Sequence, residues 1–504
     1  ISVILPFEMT DPATFDARFE AIKNRTFSHG NKNPDEKVWE NVSFNNLSPG
    51  LLPHIADLMG VAADEEALKR HDLNEKTATY SFELNKNFIN NKKLGLNARN
   101  LEWYVKRNTE LQPANFLIEG IELCFFDTGI GMLTIKLKPK ECDNSIEAWL
   151  NMLHYFRFYT GFREFRIRHK PIPSELPDSA KEAMQSDYRL PEDSRFVRLI
   201  ERIMEQAKIH SIPNSKHSRN NSVDTDVDWY APVYSHGRML AWTALIMDHV
   251  PEDEDSLIMR KLHHSFKPSQ GDDLGKSEQA FEDSEWNLEY GQRKWFFSNL
   301  NSAGFVDFES VTSNKGFATE TMPNHLWDSY RPLYLLTLHQ RFYLQKLSHR
   351  VVAWLPISKD LKEKKEQMLA FEELREDFLT FNARWFFHQM HQSTHYHSAY
   401  RLFLDTNEID LIFEEVKNEI EDIHVLLDLQ RTRIISQDMN RFGSIIGAAG
   451  LVGIPIGFLG INLVGVTGSD GIPVEQAFLW GIGGGITLCV MVWGCYRLLF
   501  KKVT

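Results

Sequence analysis

Two long apolar segments close the chain, and they constrain its fold more than any other feature. The first runs from Phe442 to about Leu463 and the second from about Gln476 to Tyr496; neither holds a charge in its interior. As a helix, each is long enough to cross a hydrocarbon layer of about 30 Å. Two helices cannot enclose a water-filled path, so a pore built from them needs several copies of the chain. Arg431, Arg433 and Arg441 precede the first segment, and Arg497, Lys501 and Lys502 follow the second. The connecting loop, 464–475, carries Asp470 and Glu475 but no Lys or Arg. This charge asymmetry places both termini in the cytoplasm. Residues 1–7 lack the basic flank and apolar length of a signal peptide and read as a short strand ended by Pro6.

The region ahead of Phe442 is most of the 504 residues, ample for more than one domain with its own core. A net charge of -13 argues against a general nucleic-acid-binding surface and against direct nucleic-acid partners. Cys124, Cys142, Cys489 and Cys495 form no CxxC pair and no disulfide framework, which fits a reducing compartment.

Residues 1–327 read as an α+β domain. Ile121, Leu123 and Phe125 alternate with Glu122 and Cys124, Asp127-Thr128-Gly129 turns the chain, and Leu133, Ile135 and Leu137 alternate on the return. That is a hairpin over 115–137. Helical periods follow at 146–159 and 196–209, and 210–228, rich in Ser, Asn and Asp, reads as a mobile loop. Residues 328–441 read as a helical stalk. One helix covers 332–352. Ser358 caps a second that runs to about Phe403. Asp405 and Glu408 make a capping-box-like start for a third. That third helix carries Ile409, Phe413, Val416, Ile420, Ile423, Leu427 and Ile434, a coiled-coil seam with no Gly or Pro before Phe442. Continued to Asn462, with a kink at Pro455, it would span roughly 85 Å at about 1.5 Å per residue.

In the first apolar segment glycines recur at 443, 447, 450, 453, 457 and 460, on one helix face. Such a stripe serves close helix packing or lines a narrow pore. Gly460-Ile461-Asn462 closes the segment. A ring of Asn462 amides suits a hydrated cation such as Mg²⁺, which dehydrates reluctantly; a helix C-cap is the plainer role. Asp470 and Glu475 would gather cations at the outer mouth or simply keep the loop soluble. Met439 and Phe442 share a face at the cytoplasmic end and suit a dewetting gate or interfacial anchoring.

A long helix entering the membrane, a Gly-x-Asn tripeptide, a short acidic loop, a second span and a basic tail together resemble the CorA superfamily of divalent-cation channels. The usual tripeptide there is Gly-Met-Asn. The resemblance covers about 330–504 and implies a homopentamer with the first membrane helix around the axis. It implies that Gly460, Ile461 and Asn462 form the selectivity ring, that Met439 and Phe442 form the gate, and that a divalent cation, Mg²⁺ foremost, occupies the pore. Gly453 stands where the family has a polar pore residue. The oversized region before the membrane is more similar to the CorA-like effectors of type III CRISPR systems, which a nucleotide messenger opens, in some cases a conjugate of S-adenosylmethionine and AMP. This likeness implies an antiviral channel in the bacterial plasma membrane. Its partners would be copies of itself, lipid and a small nucleotide.

A nucleotide would find aromatic and basic groups interleaved at Arg157, Phe158, Tyr159, Arg163, Arg166 and Arg168. The plainer reading there is an amphipathic helix followed by a strand with solvated arginines. His388, His391 and His395 share a helix face and would suit zinc or, more plainly, packing between stalk helices among aromatics. Asp127-Thr128-Gly129 reads as a hairpin turn rather than half of an aspartic-protease pair. The aspartates at 224, 226 and 228 lack the glycine and glutamate of a calcium loop. No nucleophile–base set, P-loop, GxGxxG or HExxH is present, so the chain reads as a non-enzyme without a covalently bound cofactor or a fixed metal site. Two rival functions remain open: a housekeeping Mg²⁺, Zn²⁺ or Ni²⁺ transporter, and a membrane-tethered enzyme.

Overall fold

The computed structural model describes residues 1–9, 15–27, 36–42, 50–59, 78–90, 101–107, 110–114, 116–139, 146–156, 165–169, 194–195, 199–200, 202–204, 238–247, 254–264, 286–308, 316–353 and 361–465. The 210–228 loop and the second apolar segment lie outside them. The chain forms two compact units, Ile1–Lys417 and Asn418–Thr504. The first is an α+β unit; the described part of the second is helical.

The strands are β1 (Ser2–Glu8), β2 (Thr26–Phe27), β3 (Glu36–Lys37), β4 (Trp39–Asn41), β5 (Thr79–Leu84), β6 (Leu101–Arg107), β7 (Glu110–Ala114), β8 (Phe116–Phe126), β9 (Ile130–Pro139), β10 (Phe165–His169), β11 (Ser194–Arg195), β12 (Leu240–Ile246), β13 (Asn287–Gly291), β14 (Lys294–Ser298) and β15 (Ser302–Asp307). Nine of them form one sheet in the order β13-β14-β15-β12-β1-β9-β8-β5-β4, and a smaller sheet runs β11-β10-β6-β7. Every pair in the large sheet is antiparallel except β12–β15. The expected hairpin is β8–β9, with Ile121 opposite Ile135 and Leu123 opposite Leu133. Gly129 closes its turn at φ +84°, a conformation glycine adopts without a Cβ clash.

Pro6 does not end the first strand; β1 continues to Glu8. The hydrogen bonds explain why. Leu137 N–H donates to Ile1 and Met9 N–H to Gly129, so odd-numbered residues of β1 bond β9. Even-numbered residues face β12, which pairs β1 only over Ser2–Ile4. The missing N–H of Pro6 therefore falls on the side where no ladder bond is needed.

One face of the sheet carries Val3, Leu5, Phe7, Leu123, Phe125, Leu133 and Ile135, packed with Phe19 and Ile22 of helix α1 (Phe15–Lys23). Helix α2 (Pro53–Leu58), α3 (Lys86–Ile89), α4 (Ile146–Phe156) and α5 (Asp255–His264) are short. The other face is also covered. Glu122, Cys124 and Phe126 of β8 are buried there, and Glu122 pairs with Arg331 at 2.5 Å. The alternation read in β8 is thus core on both sides.

Arg331 begins α7 (Arg331–Ala353), which packs on β9. The helical run starts earlier than Pro332. A π-turn (Phe317–Thr321), α6 (Met322–His325) and a second π-turn (Leu326–Tyr330) lead into α7. Pro323 and Pro332 each stand two residues after a π-turn, inside the continuous helical run, so their missing N–H groups fall where the hydrogen-bond register changes.

The expected second stalk helix is two. α8 (Leu361–Trp385) stops, and α9 (Thr394–Thr406) follows. Between them the chain leaves helical geometry because residues 50–52 pair with it: Leu52 N–H donates to Met390, and Gln392 N–H to Gly50. Gly50 sits at φ +108°, and a Cβ there would strike the His391 ring. α7, α8 and α9 lie within the first unit. α10 (Ile409–Gly465) carries the expected seam: Ile409, Phe413, Val416, Ile420 and Leu427 are buried. Phe413 stacks on Phe386 at 3.8 Å.

Candidate functional site

One concave site of the first unit is a cleft of about 510 Å³ lined from the sheet by Glu8, Met9, Asp127 and Thr128 and from α7 and α8 by their facing side chains. Lys346 and Arg350 stand one turn apart on α7, hence on one face. Asp377, Phe381 and Arg384 do the same on α8. The hairpin turn and the end of β1 close the cleft between them.

Its charges pair one to one. Lys346 Nζ lies 2.8 Å from Glu8 Oε1, Arg350 Nη1 2.6 Å from Asp377 Oδ2, and Arg384 Nη1 2.7 Å from Asp127 Oδ2. Trp385 Nε1–H donates to Asp127 Oδ1 at 3.0 Å. Burial pushes the Asp127 carboxyl above its ordinary range, against the opposing pull of Arg384 and Trp385. Burial likewise raises the Tyr343 phenol, with Asp377 adding to it. Behind the turn, His339 is fully buried, stacked on Phe126 at 4.0 Å, with Nε2 2.8 Å from the Thr128 hydroxyl. Burial drives its pKa well down, so the ring is neutral.

A second cavity of about 620 Å³ is lined by Lys136, Lys138, Glu119, Trp242 and Trp327 among others. Glu119 serves both lysines, at 3.7 and 3.4 Å. Lys136 Nζ sits 4.0 Å from the Trp327 ring centre and the Arg331 guanidinium 3.7 Å from it, so the indole is already held by two cations. Burial lowers the Lys136 pKa, with Glu119 opposing.

The nucleotide site expected from sequence is only partly described. Arg157, Phe158, Tyr159 and Arg163 lie outside the described residues. Arg166 and Arg168 are on β10, in register with Tyr104 and Glu102 of β6. The strand half of the plainer reading is therefore present. Met439 and Phe442 lie on α10 and are exposed, at 69% and 67%. Gly460, Ile461 and Asn462 are inside α10, which runs on to Gly465, so Asn462 is not a helix C-cap. The same helix continues across Pro455. Asp470 and Glu475 lie outside the described residues. Among the described residues no helix is long and apolar enough to cross a membrane; side chains from 451 onward are outside them.

The three histidines do not share a face, because the helix breaks between them. His391 is buried, accepts a hydrogen bond from Ser393 N–H at 2.9 Å, and packs against Tyr396. His388 lies 3.8 Å from Asp410, and His395 packs against Tyr396 and Tyr330. Among the described residues no group of three His, Cys, Asp or Glu side chains is placed to hold a metal.

The ionic cleft was missed by the sequence reading. Its signals were the Lys346/Arg350 and Asp377/Arg384 spacings on helices and the aspartate in the hairpin turn. Nothing in the sequence says that these meet. Comparison with protein-family models, curated proteins and solved structures finds no match.

Proposed function

We propose that the chain is one subunit of a cation-permeable membrane channel, assembled around an axis as a CorA-like homopentamer and opened by a nucleotide messenger. In this reading it is an antiviral effector of the type III CRISPR kind. The observation that carries the proposal is on α10. Ile435, Met439, Phe442 and Ile446, spaced by four, three and four residues, are all more than half exposed in the single chain. An apolar stripe of this kind needs a cover of protein or lipid. It leads directly into the uncharged glycine-rich segment that ends in Gly460-Ile461-Asn462.

On this reading the stripe packs copy against copy, Met439 and Phe442 narrow the cytoplasmic end, and Asn462 crowns the outer end. Messenger binding in the soluble region shifts a population between two arrangements of the helix. Flux from liposomes holding the full chain tests it. Cation release is expected only with a nucleotide messenger present, and Asn462→Ala alters the ion preference. Release without any nucleotide, or none under any condition, overturns the reading.

A further inference from the structure

We propose that the cleft between α7, α8 and the β8–β9 turn binds a phosphate-bearing anion through Lys346, Arg350 and Arg384. The assignment concerns the Ile1–Lys417 unit and stands whether or not the chain conducts ions.

The volume, about 510 Å³, is in the range of small-molecule sites, about 300–1,000 Å³. Three cations from two helices reach it, and each already holds one carboxylate at 2.6–2.8 Å. Those are the distances of charge-assisted hydrogen bonds, and they mark where incoming phosphate oxygens would sit. The three acids come from separate elements: the end of β1, the hairpin turn and α8. They are therefore stand-ins supplied one at a time, and a single polyanion can replace them together.

The Arg350–Asp377 pair is the place to start such an exchange. Its side chains are 35% and 47% exposed, and open pairs of this kind hold little net stability. Arg350 can turn to the ligand while Asp377 swings into water. Lys346, 16% exposed, lies deeper and fixes the far side of the anion, and Arg384, 40% exposed, meets it from α8. Tyr343 and Phe381 also line the cleft but are nearly inaccessible, at 6% and 1%, so recognition rests on the three cations. A diphosphate, free or carried on a nucleoside, offers oxygens to all of them.

Calorimetry on the full-length chain in detergent, titrated with ADP and with pyrophosphate at low salt, tests the assignment. Both probes should bind, because the cations meet the diphosphate that the two share. Arg350→Gln should weaken binding by about tenfold or more, the loss of one charge-assisted contact. Asp377→Asn should tighten it severalfold, because a competing anion is gone. Cations that merely stitch helix to helix would bind neither probe, and Asp377→Asn would change nothing. No heat from either probe, unchanged affinity in Arg350→Gln, or weaker binding in Asp377→Asn overturns the proposal. Arg350 and Asp377 are the most open of the pairs, so both variants should fold, as circular dichroism would verify.

Discussion

Glu122 and Arg331 are both nearly inaccessible, and their pair at 2.5 Å joins β8 to α7. Burying two charges is costly, and removing one leaves the other uncompensated. Arg331→Met should therefore cost about 3–5 kcal/mol in urea denaturation, and Glu122→Leu added to it should recover part of that loss. Two buried histidines set an acid limit. Burial holds His263 down to about 4, with His264 adding to the effect, and drives His339 well below its ordinary value. Above the ordinary histidine range both are neutral, folded or unfolded. As pH falls through about 6.5 the unfolded chain takes up protons that the folded one refuses, so stability is lost. Melting temperature should fall between pH 7 and pH 4.5, and His263→Gln should flatten that slope. Asp127, whose carboxyl is raised, acts with the opposite sign: it favours the folded state as pH drops toward its folded value.

At the scale of elements, the pattern of a strand or helix was legible where one element explains itself. The β8–β9 hairpin, the glycine of its turn and the α10 seam all follow from local spacing. Phe413→Ala in that seam should cost about 3–5 kcal/mol in a denaturant titration, as a large aromatic leaves its partners Phe378 and Phe386. The break between α8 and α9 was not legible. No Gly or Pro lies in 386–393, and the cause is a strand-like contact with residues 50–52 more than three hundred positions away. Gly50→Ala should test that cause. The strain at φ +108° and the clash with His391 predict a loss of about 1–3 kcal/mol, and hydrogen exchange should speed at Gln392. The continuation of β1 past Pro6 has the same origin, since only the pairing of neighbours shows which N–H is dispensable.

For the whole molecule, the mixed pattern before Tyr330 and the helical pattern after it indicated an α+β region followed by helix, and that order is present. Of the expected stalk helices, α7 packs on β9 and α9 on β13 and β14, covering the second face of the sheet. The cleft arises only from that docking, which is why no motif announced it. At this scale the decisive measurement is subunit number. Native mass spectrometry in detergent should give a closed ring of one size, and Phe442→Asp together with Met439→Asp should shift it toward the single chain. A wild-type single chain would refute the assembly.

Pro455 has a further chemical result. It has no N–H to give the Leu451 carbonyl, although α10 continues across it. One main-chain oxygen is thereby left without its helical donor, in a stretch whose side chains offer no polar replacement. In hydrocarbon that oxygen would be a standing penalty. In the proposed channel, turned toward a wet central lumen, it would join its counterparts in a girdle of acceptors for a passing hydrated ion.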